Sequence, residues 1–286
     1  MRLAIGIDIG GTSLTAARVD AAGAVHSSAA RPTAATPQAV LSDIDSLIGE
    51  LDADGVAAIG IGVPGRVDVG AGTALSGGYV DLSGPPLAQR LARLQGRPLA
   101  VDNDGTMALI GECRAGEARG RRDVAMLTLG TGIGGAALMR GQVLRGRGAA
   151  GQFGHVTVDF AGIPCKCGRR GCLETTSSGS ALAALMEVAG LPVGTRLEAL
   201  LTRGDALADE VIGAWARPLR AGIDSLVAAL DVGLVLLGGA LGAGAVQALA
   251  RFPSASPWYV YELAPAALGE RAGTIGAALA ALERAT

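Results

Sequence analysis

An α/β protein in two similar halves is the fold class this sequence predicts, and three observations carry it. Apolar runs of strand length alternate with segments of helical periodicity, the pattern of a sheet covered by helices. A unit of strand, glycine–threonine turn and strand occurs twice, first over residues 2–19 and again over 123–139. The chain has 286 residues, half of them hydrophobic, which suits two domains with a sizeable core.

Residues 2–9, RLAIGIDI, read as an apolar strand ending in Asp8, followed by Gly10-Gly11-Thr12. A second strand at 14–19, a turn about Ala21–Gly23 and a third strand near 24–30 complete a meander. Bare glycine backbone lets N–H groups approach an anion, and Thr12 adds a hydroxyl, so this turn suits a phosphate. Asp8, at the carboxyl end of the strand, can hold Mg²⁺ through water. An ordinary hairpin turn explains the same residues. The Rossmann and Walker patterns differ, because a helix follows their glycines.

Thr36 and Pro37 have the chemistry of an N-cap and a first helical position. Val40, Leu41, Ile44, Leu47, Ile48 and Leu51 then share one helical face, which predicts core. Residues 57–63, AAIGIGV, form another buried strand that ends at Pro64-Gly65. In Leu99–Glu112, LAVDNDGTMALIGE, a short strand runs into Asn103-Asp104-Gly105 and then a helix. An aspartate at such a junction is either an N-cap or a general base at the mouth of a sheet, where open α/β folds bind ligands.

After the polar segment 114–122 the pattern restarts with a strand at 123–129, a glycine turn over Gly130–Gly135 and a strand at 136–139. Two phosphate-type loops from a duplicated unit define a nucleotide site far more specifically than either does alone. Helices follow at 180–188, 195–203 and about 205–230, then a buried strand at 234–237 that delivers Gly238-Gly239, and an Ala-rich helix at 272–282. Trp215 and Trp258 read as core or interface, His26 as solvated or capped, and Cys113 as packing only.

The stretch GQFGHVTVDFAGIPCKCGRRGCLE, 151–174, holds one of the two histidines and three of the four cysteines. His155, Cys165, Cys167 and Cys172 are the donors of a closed tetrahedral zinc site, with Gly168 and Gly171 where a tight turn needs positive φ. A loop with free buried thiols is the alternative. No open coordination position is evident, so the metal would be structural. Clustered cysteines without a disulfide pattern suit a reducing cytoplasm. The net charge of −2 offers nothing to nucleic acid. There is neither a signal peptide nor a membrane-spanning run, so a cytoplasmic protein without a membrane partner is expected.

The motifs DIGGT at 8–12, NDGTMALIGE at 103–112, LGTGIGG at 129–135, GQFGH at 151–155 and CKCGRRGCLE at 165–174 together resemble the ROK family, close to bacterial glucokinases. The resemblance covers nearly the whole chain. It implies a two-domain, actin-like (ribonuclease H-like) ATPase fold with a zinc-stapled loop in the second domain. The domains would be 1–113, joined by the helix of 272–286, and 114–271. It implies ATP with Mg²⁺, bound by Asp8, Gly10, Gly11, Thr12, Thr131 and Gly132, with Gly238 and Gly239 beside the adenosine. The sugar would meet Asn103, Asp104, Glu174 and His155, with Gly65 and Gln152 also lining its site and Asp104 as the base. His155 could hold zinc with one nitrogen and turn the other to a sugar hydroxyl. A homodimer is a further implication.

Three departures from the family pattern concern specificity. Gln152 stands where glucokinases carry the Glu of GExGH, Gly105-Thr106 follow the aspartate where the family has a run such as N-A-N, and Gly78 and Leu82 replace an Asn and a Trp. Losing a carboxylate acceptor opposite a sugar hydroxyl can change discrimination by orders of magnitude. The expected activity is therefore transfer of phosphate to the 6-hydroxyl of a hexose, glucose by default. A glucosamine- or N-acetylmannosamine-type hexose, a related polyol, or a non-catalytic sugar-sensing role are the alternatives. A ROK repressor would need an N-terminal helix-turn-helix, for which the strand beginning at Arg2 leaves no room.

Overall fold

A computed structural model describes residues 2–76, 80–83 and 96–285, so Gly78 lies outside the described residues. The chain separates into two compact units. One comprises Met1–Gly120, Arg145–Ala150 and Glu270–Thr286, and the other Arg121–Leu144 and Gly151–Gly269.

The first unit is built on β1 (Leu3–Ile9), β2 (Ser13–Asp20), β3 (Val25–Pro32), β4 (Val56–Val63) and β7 (Leu99–Asn103), in the sheet order β3-β2-β1-β4-β7. The first three strands are antiparallel neighbours, and β4 and β7 add in parallel after crossovers. A hairpin of β5 (Arg66–Asp68) and β6 (Thr73–Ser76) stands apart from that sheet. Helix α1 (Pro37–Leu51) begins as its sequence predicts, with the Thr36 hydroxyl accepting from Ala39 N–H, and its six predicted apolar residues are its buried face. They close a core with Ile5, Ile7, Ile9, Ile59, Ile61 and Val101. Leu82 belongs to the same cluster, with Val67 and Ala74.

The helix of the last predicted element, Ala272–Arg284, packs on the opposite face of this sheet by backbone contact. A Cβ on Gly6 would stand 1.8 Å from Thr274 O, and one on Gly60 1.8 Å from Ala277 O. Gly276 is as tight against Met107 O, at 1.7 Å. Glycine is required at these crossings because any side chain would lift the helix off the strands.

The second unit repeats the plan. Its strands are β8 (Val124–Leu129), β9 (Ile133–Met139), β10 (Gln142–Val143), β11 (Leu234–Gly238) and β12 (Glu262–Pro265), in the order β10-β9-β8-β11-β12. Again three antiparallel strands are followed by two parallel ones. That order in each unit is the ribonuclease H-like arrangement of actin-like ATPases. The 25-residue helix Ala206–Leu230 buries Val211, Trp215, Leu219 and Ile223 against this sheet's core. Trp215 is fully buried and donates its Nε1–H to Ser178 O at 3.0 Å. Trp258 is 85% exposed, so it is not a core residue. No helix among the described residues is long and apolar enough to cross a membrane.

The predicted glycine turn at 130–135 is shorter than expected. Gly134 and Gly135 pair with Thr128 and Leu127 as part of β9, which leaves Gly130–Gly132 as the turn. A Cβ on Gly135 would meet the Phe153 ring at 2.6 Å, so packing explains that glycine.

Candidate active site and metal centre

In the first unit the ends of β1, β4 and β7 bring Asp8 and Asp104 to either side of Gly62. A Cβ on Gly62 would lie 3.2 Å from Asp8 Oδ1 and 3.4 Å from Asp104 Cα. Asp8 is also covered by Gly273, where a Cβ would be 2.5 Å from its carboxylate. Its Oδ1 is shut from solvent without a hydrogen-bond partner among the described residues. Burial first, and then the Asp104 charge, push the Asp8 carboxyl up to about 7. Burial likewise raises Asp104 to about 6, opposed by the Gly105 N–H that its Oδ1 accepts at 2.8 Å. An orphaned buried carboxylate oxygen fits a cation reached through water.

The stability consequence has a definite sign. Asp8 in the fold binds its proton more tightly than the ordinary value of 3.8 allows, so its contribution is full in acid and lost as pH rises through about 7. We expect Asp8→Asn to melt several degrees above wild type at pH 8, since each kcal/mol moves the midpoint by about 2–4 °C in a domain of this size. The gain should vanish near pH 4. Equal melting temperatures at pH 8 would refute the assignment of a charge-strained Asp8.

The N-cap of the following helix (Asp104–Ala115) is Asn103 rather than Asp104. Asn103 Oδ1 accepts from Thr106 N–H at 3.2 Å and its Nδ2 donates to Gly65 O at 2.9 Å. With capping supplied by Asn103, the Asp104 carboxylate bonds only within its own turn, to the Gly105 N–H and the Asn103 side chain. Gly65 takes φ of 91°, so its carbonyl is presented by a turn that favours glycine. The glycine loop at 10–12 closes with Gly10 N–H on Ser13 O at 3.0 Å and leaves Gly11 and Thr12 exposed.

In the second unit the turn Gly130–Gly132 is tied at both ends. Gly179 N–H and Ser180 N–H donate to Gly130 O and Thr131 O at 2.8 and 3.2 Å. Glu174 Oε2 accepts the Ile133 N–H at 2.9 Å, and a Cβ on Gly132 would fall 2.4 Å from that oxygen. Beside this loop, a pocket of about 280 Å³ is lined by Gly179, Leu182, Met186, Arg196, Ala240 and Leu241. Gly239, at φ 76°, adjoins it because Leu241 N–H and Gly242 N–H bond back to Leu129 O and Gly239 O. Thr131, Gly132, Gly238 and Gly239 are not among the residues that line this pocket, whose rim also carries Thr195 and Glu198.

The donor atoms of His155, Cys165, Cys167 and Cys172 lie within 4.8 Å of one another. Tetrahedral zinc with Zn–S near 2.3 Å and Zn–N near 2.05 Å places two sulfurs about 3.8 Å apart and a sulfur and nitrogen about 3.6 Å apart. The observed separations are 3.6 Å for Cys167 Sγ to Cys172 Sγ and 3.6 Å for Cys165 Sγ to His155 Nδ1. The four donors therefore fit a zinc ion, with Nδ1 as the imidazole donor and Nε2 free. Gly168 and Gly171 have φ of 89° and 61°, as the tight turn requires, and a Cβ on Gly171 would collide with Asp159 O. Burial, then the neighbouring thiols, raise Cys172 to about 12, while hydrogen bonding led by the Arg169 backbone lowers the exposed Cys167 to about 7, so it is the buried Cys172 thiolate that a cation would stabilise.

Sequence reasoning misses the double engagement of Glu174, whose Oε1 lies 3.4 Å from Lys166 Nζ while Oε2 holds the turn. It also passes over Asp102, flagged only by being a charge inside an apolar strand. Gln152 is part-buried, and its side-chain amide has no partner among the described residues. His26 Nε2 meets Asp20 Oδ2 at 2.9 Å, and the Cys113 thiol is raised by burial to about 11, which makes it inert.

Fold and donor set together define an actin-like nucleotide-binding protein with a Cys₃His centre in its second unit. The chain belongs to the ROK family, whose profile matches residues 4–284. It is 32% identical over 307 aligned positions to a glucokinase of Streptomyces coelicolor, covering 97% of each chain. It is 33% identical over 293 positions to an N-acetylmannosamine kinase of Escherichia coli, again with 97% of each covered. Among solved structures, a ROK family glucokinase from Streptomyces griseus in complex with glucose and AMPPNP superposes with a TM-score of 0.83 at 31% identity, over 98% of this chain and 99% of that one.

Proposed function

We propose that this chain is an ATP-dependent kinase that phosphorylates the primary, 6-position hydroxyl of a hexose, with glucose as the default acceptor. The observation that carries the reading is Asp104, a part-buried carboxylate with its proton affinity raised to about 6 and its capping duty taken by Asn103. The similarity to a glucokinase crystallised with glucose and AMPPNP supports both substrate classes.

Phosphoryl transfer needs positioning and charge neutralisation more than covalent chemistry. The Gly10–Thr12 and Gly130–Gly132 turns present backbone N–H groups and the Thr12 and Thr131 hydroxyls to the polyphosphate. The pocket that adjoins Gly239 takes the adenine and ribose. Asp8 is the residue to hold Mg²⁺, which when bound offsets phosphate charge. Asp104 accepts the proton of the attacking hydroxyl as the new P–O bond forms. Asn103, oriented by Gly65, is assigned to a neighbouring sugar hydroxyl, and so are Gln152, Glu174 through Oε1 and His155 through Nε2. The Cys₃His centre holds structural zinc. The thiols suit a reducing cytoplasm.

An amino or N-acetylated hexose is the second reading, favoured by Gln152. An unpartnered amide can donate to an acyl oxygen as well as accept from a hydroxyl, which a carboxylate cannot do. The similarity to an N-acetylmannosamine kinase is consistent with this. An ATP-coupled panel of glucose, glucosamine, N-acetylmannosamine and a hexitol decides between them. We expect one to exceed the others in kcat/KM by tenfold or more. Inert glucose would remove the glucokinase reading. No turnover with any of them, together with sugar binding, would establish a sensor instead.

A further inference from the structure

Asp102 and Arg145 meet inside the first unit, and no role above uses them. Asp102 is 5% exposed, in β7 directly before Asn103 and Asp104. Its Oδ2 accepts from Arg145 Nε at 2.9 Å and stands 2.9 Å from Nη2, while Oδ1 accepts Asn103 N–H at 2.8 Å. One carboxylate thus holds both an arginine and the backbone of the first proposed sugar residue.

Arg145 opens the segment Arg145–Ala150, which belongs to the first unit although the chain on both sides of it belongs to the second. The segment is a compact turn, with Gly148 N–H and Ala150 N–H both bonded to Arg145 O at 2.9 and 3.2 Å. It packs closely on the β5 hairpin, since a Cβ on Gly148 would lie 2.5 Å from Val67 O. Two residues beyond its end comes Gln152, and five beyond comes His155. The pair therefore ties the strand carrying Asn103 and Asp104 to the Arg145–Ala150 turn within the first unit. The Arg145 side chain is 39% exposed and that of Asp102 only 7%, so the pair constrains geometry from the Asp102 side, where loss of the arginine would leave a buried charge without its ion-pair partner.

We propose that Asp102 and Arg145 are positioning residues for sugar phosphorylation, on the kinase reading above: the pair sets the register of Asn103 and Asp104 and leaves nucleotide binding alone. The test uses the full chain as Asp102→Asn, Arg145→Gln, the double substitution and Arg145→Lys. Steady-state rates are measured with the preferred sugar, nucleotide dissociation constants without sugar, and amide exchange at Asn103, Thr106, Gly148 and Ala150. We expect each neutral single variant to lose about ten- to a hundredfold in sugar kcat/KM, the scale of a small misplacement of reacting groups. Nucleotide affinity should stay within twofold and the four amides should exchange faster. The double variant should be no worse than the poorer single, and Arg145→Lys should recover part of the loss.

Sugar kcat/KM within twofold of wild type, or an equal loss of nucleotide affinity, would overturn the proposal. So would a double variant whose losses simply multiply. If wild type phosphorylates no sugar, the kinase reading fails by itself. The amide exchange then still decides whether the pair organises this segment, with unchanged exchange counting against it.

Discussion

Asp104→Asn is expected to fold like wild type and to lose kinase turnover by about a hundred- to ten-thousandfold, the range a positioned general base contributes. The substitution keeps the side chain's shape and an acceptor for the Gly105 N–H, and Asn103 continues to cap the helix. What it removes is the basic oxygen. Wild type should also show an acid limb in kcat/KM, because the raised value of about 6 leaves Asp104 protonated in mild acid. Below that pH the rate should fall about tenfold per unit. Asp8, raised in part by the Asp104 charge, titrates nearby, so the apparent value of the limb belongs to the pair. A pH series from 4.5 to 8 with a saturating nucleotide provides the measurement. A flat profile, or a near wild-type rate in the asparagine variant, would eliminate Asp104 as the base.

Metal removal is the second large effect. Protein purified without chelator should carry about one zinc per chain by elemental analysis. Stripping it with a strong chelator should lower the melting midpoint by about 8–16 °C, taking about 4 kcal/mol for a ligand at a thousandfold saturation and about 2–4 °C per kcal/mol. The loss should extend to the nucleotide. Cys172 is followed two residues later by Glu174, whose carboxylate holds Ile133 N–H at the end of the Gly130–Gly132 turn. Loosening the knot loosens that clasp. Cys172→Ser should reproduce both effects, and metal-free protein with unchanged melting and unchanged ATP affinity would contradict them.

Much of this was legible in the residues, and the part that was not has a common cause. Thr36 as cap, the six-residue apolar face of α1 and the positive φ of Gly168 and Gly171 are decided by neighbours within a few positions, where pattern and propensity act. Clustering alone identified the Cys₃His donors. The second glycine turn is shorter than its sequence predicts because Gly134 and Gly135 look alike in a turn and in a tightly packed strand, and only pairing with Thr128 and Leu127 separates the two. Capping by Asn103 instead of Asp104 is a difference of one residue that local composition does not resolve. Glu174 on Ile133 and Arg145 on Asp102 join residues 41 and 43 positions apart, which no periodicity encodes.

The Ala272–Arg284 helix, seated on Gly6 and Gly60, orders the making of the protein as well as its shape. During synthesis β1 to β4 precede this helix by about two hundred residues, and the part of their sheet face around Gly6 and Gly60 lacks its cover until the helix is made. By then all of Gly151–Gly269 has been made and can already have closed its own core. The unit that starts first is thus completed last, and the uncovered part of its sheet is the surface that needs protection in the interval.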